Sequence, residues 1–263
     1  MVINDKPVRF LCARLALLLV AVSAGNGTAL MSRAMTRPQQ SAKTIQKLSP
    51  QDILQAAAEN GKLTLAALRE YTYYTQLTIE TVSQADTITG RFYRLTEFSF
   101  DRDGNRYEKV IETTSTLPED VHIGATSANN LIRIYQFMLT PETLAQYDFN
   151  YIGREQLDEL STYVFDLEPK AKMPGPEKNQ DRYLRGRVWI DDQDICLVKV
   201  AGEAPLDAKT RTTPRFETYF QNEGKLWFPA YSSADDRVKS GKYLARVIVK
   251  LRFTGYKKVK SKG

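Results

Sequence analysis

The chain has 263 residues, of which 42% are hydrophobic and 26% are charged, a composition typical of a globular protein rather than a disordered or fibrous one. Two cysteines and one histidine exclude a disulfide scaffold, a Cys-clustered zinc or iron–sulfur site and a His-rich metal site. The net charge is +6, but four lysines crowd residues 257–263, so the basic character belongs to a tail and does not indicate nucleic-acid binding.

Residues 1–29 have the features of a secretory signal peptide. Three basic residues precede the apolar run LALLLVAVSA at 15–24, and small residues follow it, with cleavage expected after Ala24 or Ala29. The alternative is an uncleaved anchor, but the run is shorter than the ~20 residues that a spanning helix needs. Cleavage removes Cys12 and leaves Cys196 alone. We therefore expect a soluble periplasmic protein without an internal disulfide.

Residues 30–48 are polar and are interpreted as a linker, after which a single domain is predicted over 49–259. Ser49 and Pro50 are typical of a helix start, and the helix is predicted to end at Gly61, with a second helical stretch over 63–71. From Tyr71 the apolar residues alternate with a period of two, which indicates a strand.

The same alternation predicts most of the remaining chain to be strands. It recurs over 91–101, 106–114, 161–170, 181–203, 214–236 and 243–259, with turns predicted at 101–106, 191–194 and 222–224. Short connections between adjacent strands favour an antiparallel sheet. Two helices are predicted between the strands, over 128–139 and 141–147, the second capped by Thr140.

Helices with an apolar face that lie between runs of strands are expected to pack on the sheet's apolar face. The predicted fold is therefore α+β and mainly antiparallel β, a strongly curved sheet (an incomplete β-barrel) with helices packed in the concave face. Residues 260–263 form a basic tail.

Strict alternation also predicts which side chains line that concave face. The opposite faces carry polar residues such as Thr78, Glu80, Arg246 and Lys250, which favour water. The residues expected to line an apolar cavity are Leu77, Ile79, Phe98, Phe100, Phe165, Leu167, Trp189, Val247 and Val249. For Trp189, ordinary core packing is favoured over contact with a ligand.

No motif points to catalysis or to a cofactor. The sequence lacks a G-x-S-x-G elbow, a P-loop and a dinucleotide fingerprint, and His122 has no motif partner. The acidic run at Asp101 departs from a calcium loop and is interpreted as a hairpin turn, as is the run at 191–194. We expect no catalytic residue, no metal and no cofactor, although a hydrolase stays open because the absence of a motif is weak evidence.

Three stretches, 147–170, 182–204 and 215–236, carry a resemblance. They are similar to the LolA/LolB-like lipoprotein-localisation superfamily, in particular its outer-membrane lipoprotein-sorting branch; the run G-R-V-W-I-D at 186–191, followed by a strand with Val-Lys-Val at 198–200, matches its strand–turn–strand. The resemblance implies an incomplete barrel closed by helices over a cavity for acyl chains. It also implies a lipid or an acylated lipoprotein as the partner. From the basic tail we expect at most peripheral contact with a membrane.

Two functions of different classes follow from these expectations. The first is a carrier or sensor that binds a lipid, an acyl chain or a lipoprotein in an apolar cavity. The second is a structural or protein-interaction module of the envelope, bound to an envelope protein, with its concave face filled by its own helices. A cavity of several hundred cubic ångströms beneath the helices would distinguish the first from the second.

Overall fold

The computed structural model describes residues 48–101, 103–118, 121, 125–170, 184–203, 214–240 and 243–259. The predicted signal peptide, the linker before Leu48, His122 and the tail 260–263 lie outside these residues. In the part of the chain that is described, no helix is both long enough and apolar enough to cross a membrane.

The first helix, α1, spans Pro50–Leu68, and its start is the predicted one. The Ser49 hydroxyl accepts a hydrogen bond from the Asp52 amide (3.1 Å), while the Asp52 carboxylate accepts one from the Ser49 amide (3.2 Å). This reciprocal pair satisfies two amides that the first turn leaves without helical partners.

The predicted end of this helix at Gly61 is wrong. The helix continues past Gly61 to Leu68 without interruption. A Cβ atom at Gly61 would lie 1.8 Å from the carbonyl oxygen of Leu139, so the glycine permits a close approach between the helix and a distant segment. Glycine here serves packing and does not end the helix.

Ten strands form one sheet in which every neighbouring pair is antiparallel. The strands are β1 (Tyr71–Val82), β2 (Ile88–Phe100), β3 (Arg106–Ser115), β4 (Tyr147–Leu157), β5 (Leu160–Pro169), β6 (Arg185–Asp191), β7 (Leu197–Glu203), β8 (Phe216–Glu223), β9 (Leu226–Ser240) and β10 (Tyr243–Lys258). Their order is β3-β2-β1-β10-β9-β8-β7-β6-β5-β4. The last strand therefore pairs with the first, and within the described residues β3 and β4 are the edges of an open sheet.

Two helices lie between β3 and β4 in the sequence, α2 (Ala125–Tyr135) and α3 (Pro141–Gln146). The hydroxyl of Thr140 caps α3 by accepting a hydrogen bond from the Thr143 amide (3.3 Å). Helix α1 contacts α3 and β9, α2 contacts β8, and α3 contacts β4. The predicted α+β fold, a curved antiparallel sheet with helices on its concave face, is confirmed.

Cross-strand register defines the two faces of the sheet, because residues directly opposite each other point to the same side. Ile79 lies opposite both Val249 and Phe92, and Val249 lies opposite Ala234, which in turn opposes Phe216. The ring of Phe216 stacks on Tyr135 of α2, with centroids 4.4 Å apart. We call this helix-covered side the inner face, and the opposite side the outer face.

Candidate functional site

Eight of the nine predicted lining residues lie together on the inner face. Seven of them are almost completely buried, with at most 4% of each exposed, and Phe100 is half-buried at their margin. The seven buried residues are Leu77, Ile79, Phe98, Phe165, Leu167, Val247 and Val249. Because β1 pairs with β10, residues from the first and last strands of the domain lie on one apolar surface.

Trp189 does not share this surface. It lies opposite Val164 and Lys199, whereas its neighbour Val188 lies opposite Phe165, so alternation turns Trp189 to the outer face. The indole N–H donates to a carboxylate oxygen of Glu155 (2.8 Å). Its inclusion among the lining residues is corrected accordingly.

Helix α2 contributes three fully buried side chains to the core, Ala128, Ile132 and Tyr135. Besides the ring stack on Phe216, the Tyr135 carbonyl accepts a hydrogen bond from the Thr218 hydroxyl on β8 (2.8 Å). The phenolic oxygen is buried and has no hydrogen-bond partner among the described residues. Burial, with a smaller contribution from the charge of Asp236, raises the pKa of the Tyr135 phenol, which therefore stays neutral.

The segment that follows α2 is tied to the other end of the sheet by polar groups. The amide nitrogen of Gln136 donates to the Tyr73 hydroxyl (3.1 Å), and its oxygen accepts from a guanidinium nitrogen of Arg106 (3.4 Å). The Arg106 guanidinium also lies over the ring of Phe98, 4.2 Å from its centroid. These contacts connect the helical cover to β1, β2 and β3.

An arginine lies within the same inner face. Arg94 is 4% exposed; its Nε donates to the Thr96 hydroxyl (3.0 Å), and an Nη lies 3.7 Å from Glu108, which also pairs with Arg106 at 2.9 Å. The signal for this cluster was present in the sequence. Arg94 and Thr96 occupy inward positions of an alternation that Phe92 and Phe98 define, but no motif assigned them a role.

The outer face of β1, β2 and β10 carries a polar trough of about 430 Å³. Gln76 and Thr78, on its central strand β1, have shorter side chains than the residues beside them. The flanking side chains are Arg91 and Tyr93 on β2 and Lys250 and Arg252 on β10.

A second cleft of about 650 Å³ on this face is lined by residues that include Val82, Asp86, Arg237 and Arg246. None of the eight inner-face residues lines either cleft.

Glu80 also lines the trough, although the sequence predicted an exposed side chain. It faces outward as expected, but only 5% of the residue is exposed. Arg91 covers it and donates from Nε (2.9 Å) and Nη2 (2.6 Å) to the same carboxylate oxygen. The ion pair therefore neutralises this carboxylate in place.

A second charged cluster lies farther along the outer face. The Lys199 ammonium is 3.0 Å from a Glu217 oxygen and lies over the rings of Trp189 (4.7 Å) and Tyr219 (4.8 Å). Burial alone would lower the pKa of Lys199, but its contacts with Tyr219 and Glu217 outweigh this effect and raise the pKa. The charged ammonium is thus satisfied and poorly suited to act as a nucleophile or base.

The described residues contain no group of three or more His, Cys, Asp and Glu side chains placed to hold a metal. Burial raises the pKa of the Cys196 thiol to about 11, which disfavours the reactive thiolate.

Asp101 accepts hydrogen bonds from the amides of Asp103 (2.9 Å) and Asn105 (2.8 Å), and Gly104 has φ of 79°. The acidic run at Asp101 thus forms the predicted hairpin turn.

No family model and no curated protein matches the chain. Several solved structures are similar to the chain. One is a LolA superfamily protein from Nitrosomonas europaea, which is 11% identical, with a TM-score of 0.37 over 82% of this chain and 96% of the other. A putative outer membrane lipoprotein-sorting protein domain from Vibrio parahaemolyticus is 15% identical, with a TM-score of 0.37 over 78% and 91%. A DUF1329 family protein from Desulfovibrio piger is 11% identical, with a TM-score of 0.38 over 79% and 95%. The resemblance stated from the sequence predicted similarity of this kind.

Proposed function

We propose that this protein is an exported, non-enzymatic protein of the periplasm that binds a lipid, or the acyl chain of a lipoprotein, on its inner face. The observation that carries the proposal is the largely apolar inner face, which helices cover in place of a second sheet. Each CH₂ group of an acyl chain that leaves water there contributes ~0.8 kcal/mol, so a chain binds without any catalytic group.

Binding by this route requires the cover to move, because the inner-face residues are buried in the closed state. Helix α2 is held by the buried side chains of Ala128 and Ile132, by the ring stack and buried hydrogen bond of Tyr135, and by the contacts of Gln136. Such a cover lowers the apparent affinity for the acyl chain, because only the fraction of molecules with an open cover can bind. The closed and open states are the two conformations that this proposal needs.

Titration with a fluorescent fatty acid tests the proposal, with the variant Phe165→Asp beside the wild type. Phe165 is fully buried on the inner face, so a charge there should abolish binding. Ile152→Asp is the matched control, since Ile152 lies on β4 and is 44% exposed. The proposal expects saturable binding by the wild type and the control, and lost binding with a folded structure in Phe165→Asp.

The second candidate, an interaction module with a filled core, is favoured by one observation. Tyr73 stacks on Phe98 with centroids 5.1 Å apart, and both side chains are at most 1% exposed, which is the packing of a solid core. On this reading the wild type binds no fatty acid, and Phe165→Asp unfolds because an unpaired charge is buried among close neighbours. A thermal melt of each variant separates the two readings.

A further inference from the structure

We propose that the trough on the outer face of β1, β2 and β10 binds an extended acidic peptide of a partner protein, with alternate carboxylates held by Lys250 and Arg252. This site lies on the side of the sheet opposite the proposed acyl-chain site, and it does not depend on that function. The argument uses the charge, the spacing and the shape of the trough.

The charge of the trough is unbalanced. Arg91 is neutralised by Glu80, whose carboxylate it holds at 2.6 Å. Lys250 and Arg252 line the trough, and no carboxylate among the described residues forms an ion pair with either. Two positive charges therefore remain in a concave site, which raises the local concentration of an anionic partner.

The spacing of these two charges fits a strand. Lys250 and Arg252 are two residues apart on β10, on the same face, so their backbones are about 6.6–6.8 Å apart along the strand. Acidic side chains at alternate positions of an extended peptide repeat at the same distance. A peptide lying along β10 thus presents one carboxylate to each cation without distortion.

The shape favours a narrow chain over a membrane surface. Long side chains on β2 and β10 flank the shorter residues of β1, such as Thr78, which leaves a groove of about 430 Å³. The Thr78 hydroxyl, the Gln76 amide and the Tyr93 hydroxyl supply neutral donors and acceptors that an extended peptide's main chain needs. A flat layer of headgroups would meet the flanking side chains but would not reach these groups.

The occupant is expected to come from another protein. The stretches of this sequence that lie outside the described residues contain no pair of acidic residues at positions i and i+2. They therefore lack the alternating pattern that the trough fits.

Fluorescence anisotropy with a labelled peptide of alternating glutamate and threonine tests the proposal, using the full chain at low salt. The variant Lys250→Gln/Arg252→Gln should weaken binding by about tenfold, since two ion pairs are lost. Thr78→Trp should weaken it as well, because it fills the trough without changing its charge. Lys62→Gln/Lys225→Gln removes the same charge from exposed positions outside the trough and should leave binding unchanged.

Three results would overturn the proposal. The first is no binding of the peptide by a correctly folded wild type. The second is an equal loss in the two double variants, which would indicate attraction by overall charge alone. The third is binding of phosphatidylglycerol vesicles, dependent on Lys250 and Arg252, without binding of the peptide. Fatty-acid titration of the same variants should be unchanged, so failure here is distinguishable from failure of the proposed function.

Discussion

Lys199 and Glu217 illustrate how charged side chains are accommodated on the outer face. The pKa of Glu217 is lowered: burial opposes this, but hydrogen bonds from Tyr219 and Lys199 outweigh burial. A carboxylate with a lowered pKa in the folded state stabilises the fold above its unfolded pKa, and this contribution is lost as the pH falls through the folded value. The relevant window therefore lies below the ordinary value of 4.5.

We predict that Glu217→Gln weakens the acid sensitivity of the fold. The free energy of unfolding in urea, measured from about pH 7 to about pH 3, should fall less for this variant than for the wild type. Glu159→Gln, an exposed change in the β4–β5 turn, serves as the control and should follow the wild type. If Glu217→Gln loses stability as steeply as the wild type, the ion pair does not contribute to this pH dependence.

Cys196 is a small buried residue, as the sequence predicted, with 7% of it exposed. A thiol with a pKa of about 11 is almost entirely protonated near pH 8. We predict that a thiol-reactive dye labels Cys196 of the mature protein only after denaturation. Labelling of the native protein at the rate of a free thiol would contradict the buried position.

At the level of secondary structure elements, the sequence predicts features that depend on neighbouring residues, but it does not predict features that depend on contacts with distant segments. The N-terminal cap of α1 was predictable because Ser49 and Asp52 satisfy each other within one turn. The continuation through Gly61 was not, because its reason lies at Leu139, far away in the sequence. The sequence does not predict strand β4 either, because this edge strand is mostly exposed and shows no regular apolar alternation.

Replacement of Gly61 tests this account of α1. Alanine in a helix interior normally stabilises by about 1 kcal/mol relative to glycine. At Gly61 the added Cβ meets the Leu139 carbonyl, so we predict that Gly61→Ala destabilises by about 2–3 kcal/mol in urea unfolding. The exposed reverse change Ala66→Gly calibrates the helix propensity alone, with a cost of about 1 kcal/mol. A more stable Gly61→Ala protein would show that the helix does not pack this closely.

The attachment of the helical cover is tested at Gln136. The variant Gln136→Ala loses its bonds to Tyr73 and Arg106, so we predict a loss of about 1 kcal/mol in stability. If those bonds exist only in the closed state, fatty-acid affinity should rise by about fivefold as the cover opens more often. Reduced stability with unchanged or weaker affinity would show that α2 is not the element that moves.

For the whole molecule, alternation in the sequence was enough to predict the sheet and the shared face of Leu77, Phe165 and Val249. Alternation does not show which face of the sheet Trp189 occupies. Its strand is buried on both faces, so apolar residues are found on either side. The same alternation puts Arg94 at an inward position, but it does not show that Thr96 and Glu108 contact the buried guanidinium. Burial of polar groups depends on partners that sequence spacing does not show.

Export is a prediction for the whole chain and is independent of the fold. N-terminal sequencing of the fractionated protein should find a start after Ala24 or Ala29 in the periplasmic fraction. An intact Met1 in membranes that have been washed with carbonate would contradict the signal peptide.

The central claim is that the inner face binds an acyl chain, and native mass spectrometry of the protein purified from envelope extracts tests it most directly. We predict a mass increment that fragmentation identifies as a lipid or an acyl-bearing peptide, present in the wild type and in Ile152→Asp and absent from folded Phe165→Asp. A wild-type protein that carries no lipid under gentle conditions, and acquires none on incubation with fatty acid, would contradict the claim and leave the interaction module.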